Sequence, residues 1–298
     1  MQTPHAADDG TASALATALD RVTPIIVTYN SAHCLPALVP LLSRCPHVIL
    51  SDNASEDGTA DETRHLLPHA TILRHPRNLG FGAANNRALD RVETDFALLL
   101  NPDCTLTEAA LSRLVATADQ FPEAVMIAPR IVDGEGRVDL GHRWVNDLWA
   151  SKGPAAEGPA CVGFVTGAAM LIRMSVAARH GFFDERFFLY YEDDDLCRQW
   201  FNARLPLIID PSAQAIHLSR RSVKGKAPLR GEYWRGFHHA QSKLIYTAKY
   251  QDAAAARRLR RRLIWQTAAA LPLRALAFSP RLLARMWGRM RGVIAWQA

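Results

Sequence analysis

Short apolar segments alternate with longer segments of helical periodicity along the first 135 residues of the chain. The apolar segments are rich in β-branched residues and end in polar ones, which is typical of strands buried on both faces. We predict strands over residues 23–29, 47–52, 70–75, 96–101 and 124–132, separated by helical segments within 31–44, 53–67, 81–92 and 107–121. This alternation indicates a doubly wound, mostly parallel α/β sheet flanked by helices.

The alternation becomes irregular after residue 135. We predict a Gly/Pro/Ala-rich loop over 145–160, two strands joined by a glycine turn over 161–175, and two short strands over 205–210 and 213–218. From Arg230 onward the spacing of apolar residues is helical, with breaks expected at Pro272 and Pro280. The sheet is therefore followed by a helical C-terminal extension.

The composition is that of a globular protein with one large domain and an appendage. Hydrophobic residues make up 49% of the 298 positions and charged residues 21%. Five scattered cysteines without a CxxC motif favour a reducing compartment over a disulfide framework or a zinc site. No basic residue precedes Arg21, so we expect residues 1–21 to form a flexible tail rather than a secretory signal.

The net charge of +6 is unevenly distributed along the chain. Residues 257–298 contain ten Arg and no acid, so the rest of the chain carries a net charge of −4. In this tail Arg is mixed with Leu, Ile, Trp and Phe at helical spacing, which is typical of a segment lying on an anionic membrane surface. A helical subdomain with solvated Arg is the alternative. The acidic body argues against a nucleic-acid-binding module.

Polar residues at the ends of predicted strands are the first candidates for a functional site. In sheets of this type, ligands bind beyond the carboxyl ends of the strands. Asp103 follows a strand in an Asn-Pro turn, and its carboxylate suits Mg²⁺ or Mn²⁺. An Asx turn explains Asn101 and Pro102 but explains Asp103 less well. Asp52 ends the second strand and can accept a hydrogen bond from a nucleotide base or ribose, with a helix cap as the alternative.

Residues 187–200 (FFLYYEDDDLCRQW) place four adjacent acids, Glu192 to Asp195, against a run of aromatic residues. Acids in the first turn of a helix complement the helix dipole, which accounts for part of this run. A carboxylate at the lip of an apolar pocket is also the environment of a catalytic base. The stretch alone leaves both interpretations open.

Three further features are weak by themselves. The stretch NLGFGAANN lacks the third glycine and the leading strand of a dinucleotide-binding fingerprint, although its glycines allow backbone to approach a phosphate or sugar. Gly167 lies in a predicted turn between strands. His217 ends a short strand, where a lone His is more often structural than functional.

Taken in order, these segments resemble the family 2 glycosyltransferases of the GT-A fold, and among them the rhamnosyltransferase-like branch. The resemblance covers about residues 22–220 and is carried by VTYNS, DNASEDGTAD, NLGFGAANN, LLLNPDC, VTGAAMLIR, GFFDERFFLYYEDDDLCRQW and His217. It implies a GT-A catalytic domain over 22–228, with a nucleotide-sugar half over about 22–135 and an acceptor half over about 136–228, followed by the extension over 229–298.

The resemblance also implies roles for the matching residues. The nucleotide-sugar donor is assigned to Thr28, Tyr29, Asn30, Asp52, Asn53, Asn78, Gly80, Asn85 and Asn101. An amide, Asn101, replaces the first acid of the family's Asp-X-Asp metal motif, so Asp103 becomes the main carboxylate ligand of a divalent metal, with His217 as a further ligand. Asp193 is the general base, and Glu192 orients it or binds the acceptor. Gly167 and Tyr191 belong to the acceptor side.

The implied reaction is an inverting hexosyl transfer in cell-wall polysaccharide biosynthesis. The sugar, with L-rhamnose as one candidate, passes from a dTDP- or UDP-sugar to a hydroxyl of a glycan or a polyprenyl-diphosphate-linked acceptor, with Mg²⁺ or Mn²⁺ as cofactor. We expect a cytoplasmic protein peripheral to the inner face of the membrane, with no nucleic-acid partner and a homodimer as one allowed assembly. Two alternatives are a sugar-nucleotide pyrophosphorylase, whose basic glycine-rich loop is lacking, and a catalytically inactive GT-A-like scaffold or binding protein.

Overall fold

The computed structural model describes residues 18–139, 141–144, 154–219, 228–276 and 279–297. The chain divides into two compact units. The first, here called the sheet unit, comprises the described residues of 1–78, 84–182 and 196–224. The second, here called the helical unit, comprises those of 79–83, 183–195 and 225–298.

Strands and helices alternate up to β6, as the apolar pattern predicts, except that the short strand β5, which was not predicted, follows β4 directly. The strands are β1 (Val22–Thr28), β2 (Ile49–Asp52), β3 (Thr71–Arg74), β4 (Phe96–Leu100), β5 (Cys104–Leu106), β6 (Met126–Val132), β7 (Val138–Asp139), β8 (His142–Arg143), β9 (Ala160–Val162), β10 (Phe164–Val165), β11 (Ala169–Arg173) and β12 (Leu207–His217). The helices are α1 (Leu35–Leu42), α2 (Thr59–Leu66), α3 (Phe81–Leu89), α4 (Glu108–Gln120), α5 (Met174–Ala177), α6 (Glu192–Asn202), α7 (Pro228–Tyr250), α8 (Ala253–Leu276) and α9 (Pro280–Ala295).

Ten of the described strands form one sheet in the order β3-β2-β1-β4-β11-β6-β12-β5, with β7 paired to β6 and β9 to β12. Strands β3, β2, β1 and β4 are parallel, as are β6 and β12. Strand β11 lies between β4 and β6 and is antiparallel to both. The carboxyl ends of β1, β2, β4 and β12 therefore lie at the same edge of the sheet. This architecture confirms the predicted α/β fold with a mostly parallel sheet and C-terminal helices.

The core of the sheet unit explains why these segments are strands. Every residue of β1, β2 and β4 is buried, so both faces of these strands are covered, as the continuous apolar runs require. The predicted tail over residues 1–21 is wrong at its end, because Ala18 and Leu19 are buried in this core and Arg21 pairs with Asp95 and Asp119. Residues 1–17 lie outside the described residues.

Two further expectations differ from the structure. The two strands predicted over 205–210 and 213–218 are one strand, β12, whose register against β6 shifts between Asp210 and Gln214. Asp210 accepts hydrogen bonds from the backbone and hydroxyl of Ser212, which absorbs the irregularity at Pro211 without ending the strand. Helix α8 continues through Pro272 to Leu276, so the break predicted at Pro272 is wrong, although an interior proline removes one backbone hydrogen bond. Most of the loop predicted over 145–160 lies outside the described residues.

The helices α7, α8 and α9 pack around a core of their own. Its buried members are Ala240, Leu244, Ala256, Leu263, Val293 and Trp296. Glycines allow α7 and α9 to approach closely, since a Cβ atom at Gly288 would lie 1.9 Å from the carbonyl oxygen of Tyr233. The Arg-rich tail therefore packs as part of a helical unit. None of the helices among the described residues has the length and apolar character needed to cross a bilayer.

Candidate active site

The ends of β1 and β2 bring together the first group of predicted donor-binding residues. Thr28 and Asp52 are in register, and the Thr28 hydroxyl donates to Asp52 Oδ1 at 3.1 Å. The Ser55 backbone N–H donates to Asp52 Oδ2 at 3.3 Å, and its hydroxyl donates to Oδ1. A carboxylate has about four acceptor positions, so these bonds leave Asp52 able to accept one more.

The loops that follow these strands are held in uncommon backbone conformations. Asn30 has a φ of 53° and Ala54 a φ of 62°, a region that is unfavourable for residues with a Cβ atom. Asn30 is fixed at both ends, because its N–H donates to Ser55 Oγ at 2.9 Å and its Oδ1 accepts from Glu56 N at 2.8 Å. The Asn53 N–H donates to the Thr28 carbonyl at 2.8 Å. The tight loops leave the ring of Tyr29 exposed at this edge.

The NLGFGAANN stretch is divided between the two units. Asn78 and Asn85 belong to the sheet unit, and the neighbour of Asn85, Ala84, accepts a hydrogen bond from the Ser51 hydroxyl on β2 at 2.9 Å. Gly80 belongs to the helical unit, where a Cβ atom would lie 2.4 Å from the Phe188 carbonyl oxygen. The absence of a side chain at Gly80 therefore already has a structural reason, independent of any ligand.

Asp103 lies at the carboxyl edge of the sheet beside His217. A turn closed by the Cys104 N–H to the Asn101 carbonyl, at 3.0 Å, follows β4, and the Asn101 N–H donates to Ala168 beside Gly167. His217, the last residue of β12, pairs in register with Cys104. This pairing places His217 Nε2 3.4 Å from Asp103 Oδ1, and the Asp103 side chain is only 3% exposed.

This pair fits a divalent cation. Ligands about 2.1 Å from a common ion and at right angles lie about 3 Å apart, close to the observed separation. His217 Nδ1 lies 3.3 Å from the Ser219 hydroxyl, a partner that can fix the ring and leave Nε2 available for the ion. The described residues contain no cluster of three or more His, Cys, Asp or Glu side chains suited to a metal. A metal held by this pair therefore needs further ligands, such as a diphosphate.

The four adjacent acids open helix α6 and differ in their environments. Glu192 is buried, and among the described residues its Oε2 makes no hydrogen bond. Burial, with Asp193 and Asp194 as negative neighbours, raises the pKa of Glu192 well above its usual value. Asp193 is half-buried and its Oδ1 accepts from the Asp194 N–H at 3.0 Å. Burial thus favours the neutral form of Glu192, whereas the Asp193 side chain is partly exposed.

Asp195 has a structural role that the sequence did not reveal. Its side chain is fully buried, and Lys249 Nζ lies 2.8 Å from Oδ1 and donates to Oδ2 at 2.8 Å. Burial raises the pKa of Asp195 although Lys249 opposes that shift. Ser55 and Ser219 were not predicted as site residues, although they lie within three residues of Asp52 and His217. Lys249 leaves no local pattern, because it is distant in sequence from Asp195.

The aromatic residues before these acids are strained. Tyr190 and Tyr191 have φ values of 69° and 68°. Tyr191, predicted on the acceptor side, packs against His239 and Tyr246 of α7, with ring centroids 5.6 Å and 5.5 Å away.

The sequence matches a known family and two characterised kinds of transferase. The family described as Glycosyl transferase family 2 matches residues 23–180. An N-acetylglucosaminyl-diphospho-decaprenol L-rhamnosyltransferase from Mycobacterium tuberculosis is 29% identical over 245 residues, covering 70% of this chain and 79% of the relative. A low-salt glycan biosynthesis hexosyltransferase, Agl10, from Haloferax volcanii is 30% identical over 207 residues, covering 65% of this chain and 66% of the relative.

Solved structures share the fold at low sequence identity. The mannosyltransferase PcManGT from Pyrobaculum calidifontis, in complex with GDP-Man and Mn²⁺, has a TM-score of 0.54 at 18% identity, covering 92% of this chain and 84% of that chain. GalNAc-T7 with UDP, GalNAc and Mn²⁺ has a TM-score of 0.51 at 13% identity, covering 75% of this chain and 50% of that chain. These similarities concern the fold.

The buried Glu192 carboxyl predicts a pH-dependent stability. The pKa of Glu192 in the folded state lies above its unfolded value near 4.5. The stability that Glu192 contributes is therefore fully present below that value and is lost as pH rises through the folded-state pKa. Glu192→Gln cannot ionise, so the variant does not lose this stability at high pH. We expect the variant to melt at a higher temperature than the wild type at about pH 8, with the difference shrinking towards about pH 4.

The exposed Glu93→Gln is the matched control and should show no such trend. Scanning calorimetry of the three proteins at both pH values makes the comparison. A difference between Glu192→Gln and wild type that does not vary with pH would contradict the assignment.

Proposed function

Because the chain belongs to glycosyltransferase family 2 and is therefore a glycosyltransferase, we propose that it catalyses an inverting sugar transfer from a nucleotide-diphospho-sugar. The acceptor is a hydroxyl of a lipid-linked glycan, and L-rhamnose is the proposed sugar, in line with the similarity to the mycobacterial rhamnosyltransferase. The observation that carries the proposal is the pair of buried Asp103 and half-buried His217, at the edge where β1 and β2 also end. No finding supports the inactive alternative.

The sheet unit supplies the proposed donor site. Asp52 is the acceptor for the N3–H of a thymine or uracil ring, with Thr28 and Ser55 fixing its carboxylate. Tyr29, Asn30 and Asn53 complete the nucleotide contacts at the strand ends. Asn78, Gly80, Asn85 and Asn101 remain predicted contacts to the diphosphate and sugar.

Asp103 and His217 are the proposed protein ligands of Mg²⁺ or Mn²⁺. When bound, the metal supplies Lewis-acid stabilisation of the negative charge that develops on the leaving diphosphate. Asp103 contributes an anionic oxygen, and His217 contributes Nε2 while Ser219 fixes its ring. The structural neighbours with bound Mn²⁺ are in keeping with this choice of ion.

Asp193 is the proposed general base of a single displacement. The acceptor oxygen attacks the anomeric carbon while its proton passes to the Asp193 carboxylate. The bond from the anomeric carbon to the diphosphate oxygen breaks with its electron pair on the diphosphate, so the configuration inverts. Glu192, whose buried Oε2 makes no hydrogen bond within the described residues, orients the base or binds the acceptor. Gly167 and Tyr191 remain predicted residues of the acceptor side.

The outer surface of α8 and α9 supports a membrane-surface location. Trp265 is 77% exposed and Trp287 is 56% exposed, in a region with ten Arg and no acid. Exposed tryptophan beside cationic residues suits the interface of an anionic bilayer, where each basic residue contributes about 1 kcal/mol. Such a location would bring the enzyme to a polyprenyl-linked acceptor at the inner face of the membrane. The cytoplasmic location, a homodimer and a place in cell-wall polysaccharide synthesis remain predictions.

Donor binding should depend on metal through Asp103. We expect one nucleotide class in a panel of dTDP-, UDP- and GDP-sugars to raise the melting temperature with Mn²⁺ or Mg²⁺. At a hundredfold excess over Kd, binding adds about 2.7 kcal/mol of stability. Asp103→Asn should lose this metal-dependent shift, whereas exposed Asp90→Asn should keep it. If the metal-dependent rise in melting temperature is unchanged in Asp103→Asn, Asp103 is not the metal ligand. If no nucleotide-sugar raises the melting temperature of the wild type, the result counts against the donor site.

Transfer should depend on Asp193 without affecting donor binding. We expect Asp193→Asn to lower kcat by about 10²–10⁴-fold, since the acceptor proton then lacks its base. The assay is transfer from radiolabelled dTDP-L-rhamnose to N-acetylglucosaminyl-diphospho-decaprenol, with donor affinity measured by calorimetry. Asp194→Asn makes the same charge change in the same helical turn and is the control. Loss of donor affinity in Asp193→Asn, or full activity, would sink the assignment.

Membrane association should depend on the two exposed tryptophans. We expect the full-length protein to float with phosphatidylglycerol vesicles but not with phosphatidylcholine vesicles. Trp265→Ser/Trp287→Ser should reduce the bound fraction about tenfold, because interfacial anchoring by aromatic side chains is lost. Val138→Ser, an exposed apolar position in the sheet unit, is the control. Equal flotation of the double variant and the wild type would exclude this surface.

A further inference from the structure

The segment that leads into the acidic turn is irregular and strained. Residues 184–191 contain no helix or strand, and Glu192 opens α6 directly after them. Tyr190 and Tyr191 both have left-handed backbone conformations, which are unfavourable for bulky residues and rarely occur in succession. Such a backbone persists only where surrounding contacts enforce it.

One face of α7 provides these contacts. Its residues His239, Ser242, Tyr246 and Lys249 follow one another at spacings of three or four, so they share that face. His239 packs against both strained tyrosines, with ring centroids 5.5 Å and 5.6 Å away. The Ser242 hydroxyl donates to the Leu189 carbonyl at 2.9 Å. Helix α7 therefore contacts the segment from Leu189 onward through both rings and backbone.

Lys249 joins the first residue of the segment to the first turn of α6. Its Nζ donates to Asp184 Oδ2 at 2.8 Å, where the segment begins, and to Asp195 Oδ2 at 2.8 Å, just beyond Asp193. The Asp195 side chain is fully buried, and the Lys249 and Asp184 side chains are mostly buried. One ammonium group thus fixes two carboxylates on either side of Asp193.

Lys249, Asp184 and Asp195 form a contact here called the clasp, and its two carboxylates differ in their electrostatics. Burial would raise the pKa of Asp184, but hydrogen bonds from Arg186 and Lys249 outweigh it and hold this pKa well below its usual range. Burial raises the pKa of Asp195, and Lys249 is the cation that opposes this shift. Without Lys249, Asp195 would be a buried carboxylate lacking its cation, so the geometry of the first turn of α6 depends on this contact.

We propose that Lys249 is a positioning residue for the transfer reaction, which joins Asp184 to Asp195 and so holds Asp193 in its working orientation. This inference rests on the proposed role of Asp193 as the base. It assigns part of the C-terminal extension to the catalytic machinery, in addition to its packing and its proposed membrane surface. In the sequence this contact corresponds to the stretch HHAQSKLIYTAKY in α7, in which Lys249 lies far from the acids.

The test compares Lys249→Met with Lys249→Arg in the full-length protein. The assay is again transfer from dTDP-L-rhamnose to N-acetylglucosaminyl-diphospho-decaprenol. We expect Lys249→Met to lower kcat about 10²-fold, because small displacements of a catalytic group have effects of this size. The affinity for dTDP-L-rhamnose should stay within about twofold, and Lys249→Arg should recover most of kcat, since a guanidinium can join two carboxylates. Lys243→Met, the same change on the same helix, should leave kcat within about twofold.

A second variant separates positioning from stability. Lys249→Met/Asp195→Asn removes the lone buried charge without restoring the clasp, so we expect its melting temperature to recover while kcat stays low. Recovery of kcat together with the melting temperature would show a merely structural role and overturn the inference. So would a folded Lys249→Met with the kcat of wild type.

Asp193→Asn in the same assay distinguishes the inference from the function on which it rests. Inactive Asp193→Asn beside fully active Lys249→Met would overturn only the role of Lys249. Full activity of Asp193→Asn, or a wild type without activity, would instead overturn the proposed function.

Discussion

The shared direction of β1, β2, β4 and β12 is the constraint on which the arrangement of the sheet unit depends. Strand β11 is antiparallel to both of its neighbours, β4 and β6, so β6 runs in the same direction as β4. Strand β12 is parallel to β6 and therefore also runs in the direction of β4. Residues far apart in sequence, Asp52, Asp103 and His217, consequently follow or end strands at one edge. The Asp103–His217 pair needs no long loop to assemble, because the pairing of β12 with β5 sets its separation.

Buried acids in this protein are stabilised in three different ways. Asp52 keeps its oxygens in hydrogen bonds from Thr28 and Ser55, which are neutral donors. Asp195 is matched by a full positive charge from Lys249. Glu192 has burial and negative neighbours, so the neutral form is the favoured one. Acids that look equivalent in sequence therefore have different environments, and of the four adjacent acids only Asp193 and Asp194 are partly exposed.

The sequence predicted most of the sheet but less of what holds the site together. Apolar runs with β-branched residues predicted β1, β2, β3, β4 and β6 to within two residues at each end, because burial on both faces leaves an unambiguous pattern. The family and its fold were also predicted correctly, from motifs in order. The single strand β12 was predicted as two, since the pattern shows Pro211 but not the side chain of Asp210 that bridges the irregularity. The roles of the site residues and the domain boundaries stay predictions.

The glycines of this chain show that a glycine-rich motif does not by itself indicate a ligand site. The glycines of NLGFGAANN suggested a close approach to a ligand, yet Gly80 and Gly82 already lie against Phe188 and Phe183. Gly288 likewise lies against Tyr233 because α7 and α9 cross closely. A glycine that is needed for packing still leaves its N–H groups able to face a ligand, so the two reasons are compatible. Packing is enough to explain these glycines. Only the contacts of neighbouring side chains can show that a glycine also lies against a ligand. For that purpose the Asp103–His217 pair is the stronger signal, because packing alone does not require a buried carboxylate beside an imidazole nitrogen.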